Sequence, residues 1–187
     1  MFFRNWNKDL FTIPNLLSLF RLTLIPVYMT IYLEGKHILA GSVLALSCLT
    51  DLLDGWIARK FDMCTRLGKF LDPLADKATQ LSLTVCLSLR YPIMQPVMLL
   101  LISKESFQAA AGLFWLGQGK ILSHGLLMGK ICTAVLFLSL TALVLMPGLS
   151  PAMVNLLALV DLTVLSLSFL GYVQAYFGLE NTLKKME

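Results

Sequence analysis

Charge is scarce in this chain. Of its 187 residues, 14% are charged and 57% are hydrophobic, and the mean hydropathy is +0.77. A soluble domain carries about 25% charged residues. This chain therefore lacks the polar surface to clothe a globule in water, and it reads as an integral membrane protein. Histidine is scarcer still, at two residues, and the four cysteines (Cys48, Cys64, Cys86 and Cys132) stand singly, with no CxxC pair. That pattern excludes a zinc site of the usual spacing and a disulfide framework, and it leaves the cysteines as small core residues. No internal repeat or low-complexity segment occurs. No cleavable leader is expected, because the first apolar run is too long and lacks a small-residue cleavage site. The basic residues do not gather into one patch, so the net charge of +4 is not a nucleic-acid footprint.

What the chain has instead is long apolar runs. A membrane-spanning helix needs about 20 mostly apolar residues. Six segments satisfy this, at about 13–33, 37–60, 67–89, 92–116, 129–146 and 151–179. Turn-like stretches such as LEGKH, GQGKILSHG and MPGLSP separate them. The expected fold is all-α and integral to the membrane: a six-helix domain over 13–180, with a tail at 181–187. Residues 1–12 mix aromatics with Arg4 and Lys8 and read as a short amphipathic helix lying at the membrane interface. With the N-terminus inside, ten basic residues fall on the inner side and only Lys36 and Arg90 on the outer. Both termini are then expected to be cytoplasmic.

One stretch departs from this apolar character. TDLLDGWIARKFDMCTRLGKFLDPLADK, residues 50–77, contains Asp51, Asp54, Asp62, Asp72 and Asp76. An ionisable group within a span is costly and marks a cavity or a partner. Asp51 and Asp54 are spaced i, i+3 near the end of the second segment. Asp72 and Asp76 are spaced i, i+4 near the start of the third. Each pair occupies one helical face, and the short loop between the segments makes the two helices antiparallel neighbours. Four carboxylates at one depth repel one another, and divalent cations relieve that repulsion. An all-oxygen set suits Mg²⁺ or Mn²⁺, ions that also accept phosphate oxygens as ligands. The alternative is ion pairing of Asp54 with Arg59 or Lys60, and of Asp72 or Asp76 with Lys69 or Lys77. Gly55, Ala58 and Gly68 leave a smooth surface for a flat ligand or for a helix neighbour. Arg59 can clamp a diphosphate in bidentate fashion.

The run Asp51-x-x-Asp54-Gly55-x-x-Ala58-Arg59, then eight residues, then Gly68-x-x-x-Asp72-x-x-x-Asp76 resembles the signature of the CDP-alcohol phosphotransferase family at all its fixed positions. IPNLLSLFRL near the start is similar to the phosphatidylglycerophosphate synthase and cardiolipin synthase branch. The resemblance implies six transmembrane helices, a homodimer, and an active site at the cytosolic boundary of a cell membrane. It also implies transfer of a phosphatidyl group from CDP-diacylglycerol to glycerol 3-phosphate or phosphatidylglycerol, with CMP leaving. Asp51, Asp54, Asp72 and Asp76 would hold two divalent ions, and Asp76 would act as general base. Asp51, Gly55, Ala58, Arg59, Thr65 and Gly68 would contact the CDP moiety. Lys104-Glu105 departs from the Arg-Glu pair common in the branch, which leaves the acceptor open, an inositol phosphate included.

An anionic acceptor needs cations beyond the metals. Arg21, Lys104 and Lys130 are the candidates for its phosphate; Arg21 and Lys104 lie too deep for snorkelling alone. Lys104 could instead pair with Glu105 or Asp161, and Lys130 could be ordinary flanking charge. His124 reads as a solvated loop residue. A cation transporter is the reading from another class, but no ladder of acids continues through the other spans.

Overall fold

The computed structural model describes residues 12–61, 68–117 and 127–184. Among these residues the fold is all helix, with no strand. Six long helices follow in order: α1 (Ile13–Leu33), α2 (His37–Lys60), α3 (Gly68–Arg90), α4 (Gln95–Gly117), α5 (Leu127–Leu145) and α6 (Pro151–Lys184). A 3₁₀ turn, Pro92–Met94, precedes α4. Four of the helices, α1, α4, α5 and α6, are long and apolar enough to cross a membrane. In α2 the apolar stretch among the described residues is His37–Asp51, and α3 opens with Lys69, Asp72, Asp76 and Lys77. Those charges keep α3 out of the set of four. The expected interfacial helix over 1–12 lies almost wholly outside the described residues.

The chain divides into two compact units, Met1–Cys86 and Leu87–Glu187. In the first, α1 begins with Pro14 in its first turn, where the missing N–H costs nothing. It ends in a Schellman turn: Lys36 N–H donates to Ile31 C=O at 3.2 Å and Gly35 N–H to Tyr32 C=O at 3.0 Å. Gly35 sits there at φ +79°, a left-handed conformation that favours glycine. The tight reversal lays α2 back along α1. The buried face of α1 is Pro14, Asn15, Ser18, Arg21, Leu24, Tyr28 and Tyr32, a three-to-four-residue stripe. Its polar members lie in the first half. Further along, Tyr28 donates to Ser82 Oγ on α3 at 2.5 Å, tying α1 to α3.

In the second unit α4, α5 and α6 bury Leu101, Leu136, Leu140, Leu143, Ala158 and Leu165. Phe107 on α4 meets Phe169 and Tyr176 on α6 edge to face, at centroid distances of 5.5 and 5.8 Å. Gly129 lets α5 run close beneath Tyr172 of α6, for a Cβ there would stand 2.3 Å from the tyrosine hydroxyl. Arg90 donates to Pro147 C=O at 3.2 Å and so links the turns at one end of this unit. The three described cysteines, Cys48, Cys86 and Cys132, are free thiols, as their isolated positions predict.

Candidate active site

Asp51 and Asp54 lie on α2, and Asp72 and Asp76 on α3, each pair at the spacing that shares a helix face. What they face is Arg21, in the first half of α1 and 3% exposed. Its guanidinium engages the whole set. Nη1 donates to Asp51 and, at 2.9 Å, to Asp76. Nη2 donates to Asp54 at 2.8 Å and lies 3.9 Å from Asp72. Ser18, one turn earlier on α1, donates to Asp72 at 2.5 Å. Asp54 is buried, while the side chains of Asp51, Asp72 and Asp76 are 44%, 43% and 52% exposed. The cluster thus has a closed floor at Asp54 and an open side where the other three carboxylates can meet a ligand.

One guanidinium does not neutralise four carboxylates. The excess negative charge, the wholly oxygen donor set and the partial exposure fit a hard divalent cation. Among the described residues no three His, Cys, Asp or Glu side chains group as the ligands of a single ion; the guanidinium stands among them. The alternative pairings read from the sequence placed these carboxylates with nearby lysines or Arg59. Among the described side chains, which do not include those of Arg59 and Lys69, a partner comes from α1, thirty or more positions away along the chain. The polar triplet Asn15, Ser18 and Arg21, spaced by three within an apolar run, is the signal that marks this face of α1.

Of the other expected site residues, Gly55, Ala58 and Arg59 lie on the last turns of α2. Gly68 opens α3 and is buried. Thr65 and His124 fall outside the described residues. Lys130 is exposed on the first turn of α5. Lys104 is buried on α4, where it donates to Glu105 at 2.8 Å and to Gln108 at 3.1 Å. Its ammonium also lies 5.7 Å from the Tyr172 ring centroid. Asp161 on α6 is buried and accepts a hydrogen bond from Ser139 on α5 at 2.5 Å. Gln108, Ser139 and Tyr172 carry no signal in the sequence that separates them from core residues.

Four apolar helices and an intramembrane carboxylate cluster define a membrane protein with an oxygen-rich, partly open group of side chains. The chain belongs to the CDP-alcohol phosphatidyltransferase family, whose model matches residues 11–170, and members of that family work with divalent metal ions. It is 31% identical to the CDP-diacylglycerol–glycerol-3-phosphate 3-phosphatidyltransferase of Aquifex aeolicus, over 86% of this chain and 93% of that one. The enzyme of the same name from Bacillus subtilis is 31% identical over 73% of this chain and 78% of its own. A cardiolipin synthase (CMP-forming)/mitochondrial hydrolase fusion protein of Schizosaccharomyces pombe is 36% identical over 58% of this chain. The match spans only 18% of that much longer protein.

Proposed function

We propose that this chain is a CDP-diacylglycerol–glycerol-3-phosphate 3-phosphatidyltransferase. It moves the phosphatidyl group of CDP-diacylglycerol onto a hydroxyl of glycerol 3-phosphate, giving phosphatidylglycerophosphate and CMP. The observation that carries this reading is the gathering of Asp51, Asp54, Asp72 and Asp76 from two helices around one point. Support comes from relatives of that name aligned along most of the chain.

In the reaction the acceptor hydroxyl oxygen bonds to the β-phosphorus. The bond from that phosphorus to the CMP oxygen breaks, and CMP leaves with the electron pair. Asp76 takes the hydroxyl proton onto a carboxylate oxygen; its half-exposed side chain is open to an incoming acceptor. Asp51, Asp54, Asp72 and Asp76 would hold two divalent ions, Mg²⁺ or Mn²⁺, which would supply neutralisation of the charge that builds on the diphosphate. Gly55, Ala58 and Gly68 let the CDP moiety approach the backbone, with Asp51 and Thr65 beside it, and Arg59 forks the diphosphate. The cations offered to the acceptor's phosphate are Arg21 of the first unit and Lys104 and Lys130 of the second.

All six helices of the 13–180 domain cross the membrane in this reading. α2 and α3 bring their charges to the cytoplasmic boundary, where both termini also lie by the distribution of Lys and Arg. The segment 1–12 rests on the interface, and the tail 181–187 extends into the cytoplasm. The protein works as a homodimer. The lipid tails of the donor stay in the bilayer while its headgroup enters the site.

The test is CMP release from CDP-diacylglycerol in detergent, with each acceptor added in turn. Release that requires glycerol 3-phosphate, stops with EDTA and returns with Mg²⁺ or Mn²⁺ is the expected result. Release that requires phosphatidylglycerol instead would move the assignment to a cardiolipin synthase, a reading consistent with the match to the fission-yeast protein.

A further inference from the structure

The Arg21 guanidinium contacts the same four carboxylates that the proposed ions need. Nη1 holds Asp51 and Asp76, and Nη2 holds Asp54 with Asp72 beyond it. A dication bound to those oxygens would stand within a few Å of the guanidinium, and the two repel. Coexistence at these contacts is therefore closed to Arg21, and movement remains. Among the described residues the head group's hydrogen bonds go to the carboxylates: Nε is buried and has no hydrogen-bond partner. Ser18 is equally able to let go. Its hydroxyl lies 2.5 Å from Asp72 and 3.1 Å from Pro14 C=O on its own helix, so rotation returns the proton to the backbone and frees Asp72.

We infer that Arg21 is a displaceable internal cation, which competes with divalent ions for the aspartate oxygens and leaves them when the ions bind. This rests on the divalent-ion reading of the site. It assigns Arg21 two positions, one on the carboxylates and one released toward a phosphate group of a substrate. It also gives the site a built-in threshold. Ion affinity is reduced by the fraction of molecules in which the guanidinium holds the ligands, and the carboxylates keep one compensating positive charge when ions are scarce.

The test is Mn²⁺ binding, read by electron paramagnetic resonance on the full chain in detergent without substrate. Wild type is compared with Arg21→Gln and Arg21→Lys, each checked for folding by size-exclusion chromatography. Arg21→Gln should bind Mn²⁺ about 10-fold more tightly than wild type, since the competing state is removed. Arg21→Lys should fall between the two. Unchanged or weaker binding in a folded Arg21→Gln protein overturns the inference, because a residue that merely scaffolds the carboxylates would lower affinity when lost. Absence of Mn²⁺ binding in every protein would overturn the divalent-ion reading and this inference with it. Should the variants fail to fold, wild type decides: modification of Arg21 by phenylglyoxal, mapped by peptide mass spectrometry, should rise several-fold when Mg²⁺ is added. Labelling that stays constant or falls would show the guanidinium still seated on its carboxylates.

Discussion

In the first unit four carboxylates share one guanidinium, and three of them remain close to half exposed. In the second unit the carboxylates are served locally. Glu105 accepts from Lys104 beside it, and Asp161 accepts from Ser139, with both acids largely buried. The contrast separates two uses of charge in an apolar chain. Glu105 is paired with a cation and Asp161 takes a hydroxyl on one oxygen, so each is met by a side chain of its own unit. A cluster with surplus charge and open sides is compensated only when a ligand arrives. The open cluster of the first unit suits the divalent ions proposed for it, and the described acids of the second unit suit a role in holding helices together.

The contrast is broken most directly at the floor of the cluster. Asp54→Asn removes one anionic ligand while keeping the shape of the side chain and an oxygen for Arg21. CMP release should fall by about 10³-fold, equivalent to several kcal/mol of lost charge stabilisation. A fall of less than about 10-fold would deny the cluster its role. Lys104 sharpens the comparison, because it belongs to the second unit yet is assigned to the acceptor. Lys104→Gln keeps a polar contact for Glu105 but removes the cation, so the KM for glycerol 3-phosphate should rise about 10-fold. The KM for CDP-diacylglycerol should hold. An unchanged acceptor KM would leave Lys104 as the partner of Glu105 and Gln108 alone.

The sequence carried the helices further than it carried the site. Apolar length and turn residues place α1 and α2 at the observed limits, 13–33 and 37–60, because Pro14 opens one helix and Gly35 terminates it. The fourth segment reads as helix from 92, yet α4 starts at Gln95. The cause is Pro96, which has no N–H to give the Pro92 carbonyl; Gln95 N–H takes that acceptor in a 3₁₀ turn. The last segment ends at 179 by apolarity, whereas α6 runs to Lys184, since ENTLK contains no residue that stops a helix. At the site, local spacing reveals each pair of aspartates. The meeting of those pairs with Arg21 depends on α1 folding against α2 and α3, a tertiary fact that only the Asn15, Ser18, Arg21 stripe foreshadows.

The smallest effect should come from Asp161, and it tests the other half of the contrast. This carboxylate is 1% exposed and receives the Ser139 hydroxyl at 2.5 Å, while its second oxygen, Oδ1, has no hydrogen-bond partner. Asp161→Asn preserves the acceptor for Ser139 and alters only the unpartnered side, so turnover should stay within about 2-fold and stability within about 1 kcal/mol. Asp161→Leu removes the acceptor and strands the buried Ser139 hydroxyl, which costs about 1–3 kcal/mol and should lower the thermal midpoint in detergent. Adding Ser139→Ala to the leucine variant removes the stranded group and should recover part of that loss, as expected of a pair that serves helix packing. A loss of turnover in Asp161→Asn comparable to that of Asp54→Asn, with the thermal midpoint unchanged, would place Asp161 in the chemistry and erase the distinction between the two units.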